Sequence, residues 1–348
     1  LVNKGNRRQD SAEIKRLPGI GILPKWAGIL VFVVLAAILA SLIIFHYNPG
    51  ADAHTEMLKK VCACVLISLS CIIYIVKYDR IMVVPMELWD NRRLIWRMSL
   101  NDFRKRYAGS YLGSVWAFTQ PLVTILMYWF VFDKIMQAKA SVFGRGLPVP
   151  YVIFLMAGLV PWFYFMEGLS NGTTSLLEYS YLVKKVVFKI SILPLIKLIA
   201  ATFTHLFFCI ILVAAAWIGG FAPSAYTLQI FYYMFCEFML LLAMSYVTAA
   251  VQVFFRDLMQ IINIGLQLGQ WATPILWNIG GFDYRIQWII KLNPVTYLVE
   301  GYRSSIYEQR WFFEHFYSTT YFWIVTIGIF CLGSLIFKKS KVHFADML

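Results

Sequence analysis

Charge is scarce in this sequence. Only 14% of its 348 residues are Asp, Glu, Lys or Arg, against 60% hydrophobic ones, whereas soluble domains run at roughly 25% charged and 45–50% apolar. That balance excludes an ordinary soluble enzyme of two domains. Acidic residues are scarcer still, 18 against 31 basic, for a net charge of +13. In a chain this apolar the basic excess sets membrane topology, and no nucleic-acid partner is expected. The six cysteines (Cys62, Cys64, Cys71, Cys209, Cys236 and Cys331) all fall inside apolar runs. Their spacing makes neither a disulfide framework nor a zinc site, and five scattered histidines add no metal pattern. A Gly-x-x-x-x-Gly-Lys-Ser/Thr phosphate loop is absent, and no polar segment is long enough for a nucleotide-binding domain. Active transport by this chain therefore requires a separate ATPase.

What the chain does have is long apolar runs. They are continuous rather than alternating, so the spans are helices and the fold is an all-α polytopic membrane protein. At about 20 residues each, eight transmembrane helices are predicted, at 27–45, 61–77, 111–132, 151–167, 192–217, 228–251, 258–278 and 319–337. The first run follows a polar, basic stretch and is too long for a signal-peptide core, so it reads as a retained span. With both termini cytoplasmic, inner segments carry 21 Lys and Arg and outer segments nine, which favours that orientation. Residues 1–26 form a basic tail and 27–80 an N-terminal two-helix hairpin. Residues 81–348 form a module of six spans, the boundary marked by Lys77-Tyr78-Asp79-Arg80 and Pro85.

Residues 88–107 hold six basic residues and cannot cross a membrane. At 100° per residue Trp89, Trp96, Leu100, Phe103 and Tyr107 share an arc of about 60°, flanked by Arg92, Arg93 and Arg104. This is an amphipathic interface helix for the cytoplasmic leaflet. Leu94, Ile95 and Met98 on its other face point to a protein contact. Arg104, Lys105, Arg106 and Tyr107 are the candidates for meeting an anionic lipid headgroup at a portal.

The run from Asn101 to Trp116 (NDFRKRYAGSYLGSVW), closing on Gln120-Pro121-Leu122, resembles the start of the first core span of ABC-2 type permeases that export polysaccharides, O-antigens and teichoic acids. Further segments agree in order: Gly158-Leu159-Val160-Pro161-Trp162-Phe163, Leu182 to Phe188 before Ile192-Leu193-Pro194-Leu195, and Phe255-Arg256-Asp257-Leu258 before Thr273-Pro274-Ile275. Leu292-Asn293-Pro294-Val295 with Tyr302-Arg303, and Phe344 to Leu348, complete the set. The likeness covers about 88–348 and leaves the hairpin outside; Lys189 stands where the family usually has Pro.

The resemblance implies a homodimeric permease in the bacterial cytoplasmic (inner) membrane. Two copies of an ABC ATPase subunit would bind ATP and Mg, with no cofactor in this chain, which is not itself an enzyme. The expected cargo is a lipid-linked glycan. A coupling helix is expected at about 174–187, with Glu178, Tyr181, Leu182, Lys184 and Lys185 as its ATPase contacts. In the outer segment 279–318, Asn293-Pro294 breaks two apolar stretches too short to cross, read as re-entrant half-helices over about 283–309. The family places an outer gate there, with Asn293, Pro294, Glu300 and Arg303 as candidates. A glycan conduit should be ring-lined, and Tyr128, Trp129, Phe132, Trp162, Phe163, Tyr164, Phe165 and Trp271 are its candidate rings, competing with the interfacial role that Trp and Tyr also fill. Glu237, near mid-span, either lines the conduit or bonds a neighbouring helix; His205 reads as a packing residue. Two alternatives are an exporter of a small lipid or drug, and an integral membrane glycosyltransferase. The second lacks a clustered carboxylate pair among the outer segments.

Overall fold

The computed structural model describes residues 25–45, 53–82, 89–106, 113–137, 143–144, 147–184, 189–314 and 316–348. The expected basic tail up to residue 24, Tyr107 and Lys185 lie outside the described residues. By its contacts the chain divides into two compact units, Leu1–Asp90 and Asn91–Leu348. In the first, α1 (Lys25–Phe45) and α2 (Ala53–Ile81) pack as a hairpin. Phe32 stacks on Tyr74 at 4.0 Å, and Lys60 Nζ donates to the Ile44 carbonyl at 3.1 Å.

The second unit begins with α3 (Arg92–Arg106) and α4 (Trp116–Trp129), the latter extended by a 3-10 turn before it and a π turn, Phe130–Ile135, after it. A two-residue antiparallel ladder, Phe143–Gly144 with Leu147–Pro148, precedes α5 (Tyr151–Glu178). Then come α6 (Ser180–Val183), α7 (Leu193–Ile218), α8 (Gln229–Phe254), α9 (Leu258–Ala272), α10 (Tyr284–Lys291), α11 (Pro294–Arg303), α12 (Phe316–Ser340) and α13 (Phe344–Met347).

The bundle is built around α5, which packs on α7, α8 and α11 and buries most of its length. Its approach to α8 uses Gly168 and Gly172, one turn apart on the same face. A Cβ at Gly172 would run into Ser245 Oγ, and one at Gly168 would sit 2.6 Å from Leu241. Small residues at that spacing let helix backbones approach closely, the usual basis of packing between apolar helices. On its other side α8 packs on α12 through Tyr246, whose ring meets Phe337 edge-on at 5.2 Å.

Five described helices are long and apolar enough to cross a membrane: Lys25–Phe45, Tyr151–Glu178, Ile190–Ile218, Ala225–Phe254 and Phe316–His343, each extended into its flanking turn where one exists. A sixth stretch, Lys60–Val76, is apolar but shorter. The expected span at 258–278 is realised as a shorter helix. Thr273 is extended because Pro274 follows it, so α9 stops after 15 residues, or about 22 Å, against roughly 30 Å of hydrocarbon.

The expected coupling helix over 174–187 is not a single helix. Residues 174–178 are the last turn of α5, Tyr179 breaks the run, and Ser180–Val183 form one further turn. Nothing before Tyr179 stops α5: the Thr173 hydroxyl is absorbed by the Leu169 carbonyl of the preceding turn and that of Thr174 by Glu178 one turn on. The outer segment does contain two short helices. Asn293 Oδ1 accepts from Val295 N at 3.0 Å, and Pro294 opens α11 in the position where its missing N–H costs nothing.

Candidate functional site

A cleft of about 1210 Å³ lies among α4, α5, α7 and α9. α5 presents Phe163, Tyr164, Glu167, Ser170 and Asn171 to it, and α4 presents Trp116, Thr119, Thr124 and Tyr128. α7 adds Thr204, His205 and Phe208. The wall from α9 holds, beside Ile264 and Leu266, a row of amides, Gln260, Asn263, Gln267 and Gln270. Their spacing places them within about 80° of one another at 100° per residue. Gln270 Nε2 donates to the Tyr128 hydroxyl at 3.3 Å, tying that row to α4. Gly269 fixes the approach of α9 to α5, since a Cβ there would stand 2.9 Å from the Trp162 ring. The lining thus combines ring faces, groups that both donate and accept hydrogen bonds, and aliphatic side chains such as Val123, Val160 and Met166. Among the described residues that line it, one ion pair joins Arg106 at the end of α3 to Glu167.

Beside the cleft, the same helices are joined by a knot of charge. Lys197, on α7 and nearly inaccessible, donates to Asp102 Oδ1 of α3 at 2.7 Å and to Glu178 Oε2 of α5 at 2.6 Å. The Tyr179 hydroxyl donates to the same Asp102 oxygen at 2.6 Å, and Thr174 Oγ1 donates to Glu178 Oε1 at 2.6 Å. The Lys197 ammonium also stands 5.0 Å from the centre of the Tyr179 ring. Burial, and the hydrogen bond donated to Asp102, hold the Tyr179 hydroxyl well above the ordinary tyrosine range. Around this knot Ile95, Ser99 and Asp102 form the buried face of α3, while Trp96 and Phe103 meet Phe203 of α7 edge-on at 5.6 and 5.7 Å. α3 is therefore fastened to the bundle by charge on one side and rings on another.

Comparison with known proteins matches residues 93–307 to the model of the ABC-2 type transporter family. This chain belongs to that family. It is 27% identical over 249 residues to an O-antigen export system permease protein RfbA of Klebsiella pneumoniae, covering 71% of this chain and 92% of that one. A second RfbA from the same species is 26% identical over the same length. The RfbA of Myxococcus xanthus is 26% identical over 226 residues, 64% of this chain and 84% of that one.

Within this ABC-2 protein the residues singled out from sequence fall into separate groups. Arg104 and Lys105 are exposed, whereas Arg106 turns onto Glu167. Glu178 joins the knot; Tyr181 and Lys184 are exposed and Leu182 is half-buried. Of the candidate rings, Tyr128, Phe163 and Tyr164 line the cleft. Trp162 and Phe165 are buried and stack on each other at 5.6 Å. Trp129 lies under Lys134, Phe132 leans on Tyr151, and Trp271 is exposed on another face of α9. Arg303 is 1% exposed and pairs with Glu300 at 2.8 Å; its guanidinium also donates to the Ile275 carbonyl and lies 3.7 Å from the Phe154 ring centre. His205 stacks on Tyr164 and bonds the Tyr302 hydroxyl through Nε2 at 2.7 Å. Glu237 is fully buried within α8, does not line the cleft, and has no hydrogen-bond partner for either carboxylate oxygen among the described residues.

Sequence reasoning did not single out Asp102, Glu167, Tyr179 or the α9 amides. Lys197 was visible as a lone cation in the first turns of a span, which is costly without a partner. The amide row was visible as an i, i+3, i+7, i+10 series on a helical segment.

Proposed function

We propose that this chain is the permease subunit of an ABC exporter carrying a lipid-linked polysaccharide of O-antigen type outward across the bacterial cytoplasmic membrane. Two copies enclose the path, and a separate ATPase, also in two copies, binds ATP and Mg and supplies the driving force. Both termini face the cytoplasm, the eight apolar segments serve as spans, α9 crossing together with the non-helical residues that follow it to 278, and α10 and α11 dip in from outside beside a gate that includes Asn293 and the Glu300–Arg303 pair.

The observation that carries this reading is the cleft among α4, α5, α7 and α9, with ring faces and amides in its wall and a single ion pair. Sugar rings offer C–H faces to aromatic side chains and hydroxyls to amides, so such a wall suits a glycan better than a lipid tail. The O-antigen export named for the relatives agrees with it. The ATPase is read as engaging the end of α5 and α6, where Tyr181 and Lys184 are exposed next to Glu178. α3, rich in basic and aromatic residues, lies along the inner leaflet and brings the lipid carrier to the cleft through Arg104 and Lys105.

The test is ATPase stimulation in the purified complex. A polyprenyl-linked glycan should stimulate hydrolysis and amphiphilic drugs should not; the reverse pattern makes this an exporter of small lipids or drugs. Glycosyl transfer by the chain without an ATPase would overturn the transporter reading altogether. Coupling is checked with Tyr181→Ala and Lys184→Ala together, which should leave nucleotide binding intact and abolish stimulation by glycan.

A further inference from the structure

We infer that the α9 amides form a sliding rail for an uncharged, hydroxyl-rich polymer, and that the cleft rejects a polyanionic one. The inference rests on the export reading above and narrows its cargo to a neutral glycan.

Gln260, Asn263, Gln267 and Gln270 lie on one helix, the first and last ten positions apart, or about 15 Å at 1.5 Å per residue. Three steps of about 5 Å separate them, a distance on the scale of one pyranose unit. Each amide offers two donors and an acceptor, so it can pair with a sugar hydroxyl in either polarity. A chain advanced by one sugar meets the same kind of partner at each step. Bonds lost at one rung are regained at the next, and no single rung becomes a trap.

Charge supplies the selection. Arg106 and Glu167 are the only oppositely charged pair in the described lining, and they face each other. Asp102 stands 3.8 Å from the same guanidinium. His205, the other titratable base there, is engaged by Tyr302. A phosphodiester or uronate in every repeat would give up its water here and meet amides but no uncommitted cation, a desolvation that neutral hydroxyls do not incur. The amides are also confined to one arc of α9. Ile264 and Leu266 line the cleft at the edges of that arc, while Ile261, Leu268 and Trp271, which do not line it, are apolar and exposed.

The experiment uses proteoliposomes holding the full chain with its ATPase subunit. They are given two polyprenyl-linked polymers of equal length on the same carrier, one of neutral hexoses and one with a phosphodiester in each repeat. The neutral polymer should be moved about tenfold faster or more, as expected if each repeat forfeits a charge-assisted partner. Gln267→Lys with Gln270→Lys should narrow that ratio by raising transport of the polyanion. Gln267→Glu, a single change at an exposed position, should widen it. Equal rates, or faster movement of the polyanion, would overturn the charge selection while leaving the exporter reading in place. An unchanged ratio in both variants would remove the rail. If the wild-type complex moves neither polymer, the export reading falls and the rail falls with it.

Discussion

Lys197 is the residue whose removal the structure makes most costly. Its ammonium is held between Asp102 and Glu178, and its side chain is 6% exposed. The two partners are not equal. Glu178 is 49% exposed, and a pair that open to solvent is worth about 0–1 kcal/mol. Asp102 is 10% exposed, and stripping Lys197 leaves its buried carboxylate only the longer contact to Arg106 at 3.8 Å, which costs about 3 kcal/mol, the lower end for a broken buried pair. Lys197→Met keeps the length of the side chain and removes the charge, so that whole penalty should appear. Asp102→Asn retains an acceptor for Tyr179 and leaves Lys197 its half-exposed partner, and should cost about 1–2 kcal/mol.

The double variant separates this account from a simple packing effect. Removing both charges leaves no orphan, so Lys197→Met with Asp102→Asn should be more stable than Lys197→Met alone, with a coupling energy of about 2 kcal/mol or more. Unfolding midpoints in a denaturing-detergent titration of the micelle-solubilised protein provide the assay. Additive losses would refute the reasoning, as would a Lys197→Met protein that unfolds within about 1 kcal/mol of wild type.

Arg303→Lys keeps the charge but not the fork that reaches Glu300 and the Ile275 carbonyl at once, and should cost about 2 kcal/mol in the same titration. Gly172→Leu forces a side chain into Ser245 on α8 and should cost about 1–3 kcal/mol or prevent folding. Gly265→Ala on α9, where nothing lies within 4 Å, should instead stabilise by about 0.4–1 kcal/mol. Tyr179→Phe removes the bond to Asp102 and should cost about 1 kcal/mol at neutral pH. Because the folded state holds the Tyr179 proton more tightly than the unfolded chain does, its contribution is complete below pH ~10 and is lost as pH rises further. Above that pH the wild type should therefore lose stability more steeply than Tyr179→Phe.

The sequence revealed helices better than it revealed what joins them. The 3.6-residue period of α3 was legible, and so was the protein-facing role of Ile95, which is 3% exposed. Asn293-Pro294 announced its break because a proline restricts the residue before it, whereas the span expected over 258–278 ran through Pro274, before which α9 ends. The length of α5 was not legible, since hydropathy falls off near residue 167 while the helix continues to Glu178; a polar helix end carries no apolar signal. Asp102 looked like one more solvated charge in a basic segment, and its partner Lys197 lies 95 residues further on. Periodicity reports which face a residue occupies but not what meets that face. For the rings the difficulty was different: Trp162 and Trp271 belong to the same composition class, yet one is 2% and the other 64% exposed, because position on the helix and not residue type decides it.

The cleft and the knot share parts, and this gives the proposed export cycle a mechanical form. α5 supplies Phe163, Tyr164 and Glu167 to the cleft wall and Glu178 to the knot. Gly168 and Gly172 press the stretch between them against α8, so that stretch cannot bend without opening a close helix contact. Arg106 and Asp102 sit one turn apart on α3, one gripping Glu167 and the other Lys197. A push on the end of α5 by an ATPase is thus delivered to α3 at two points, and the guanidinium that moves is the one exposed in the cleft. Loose loops could not transmit such a displacement; a helix clamped along its length, ion-paired to α3 directly through Glu167 and indirectly through Lys197 of α7, can.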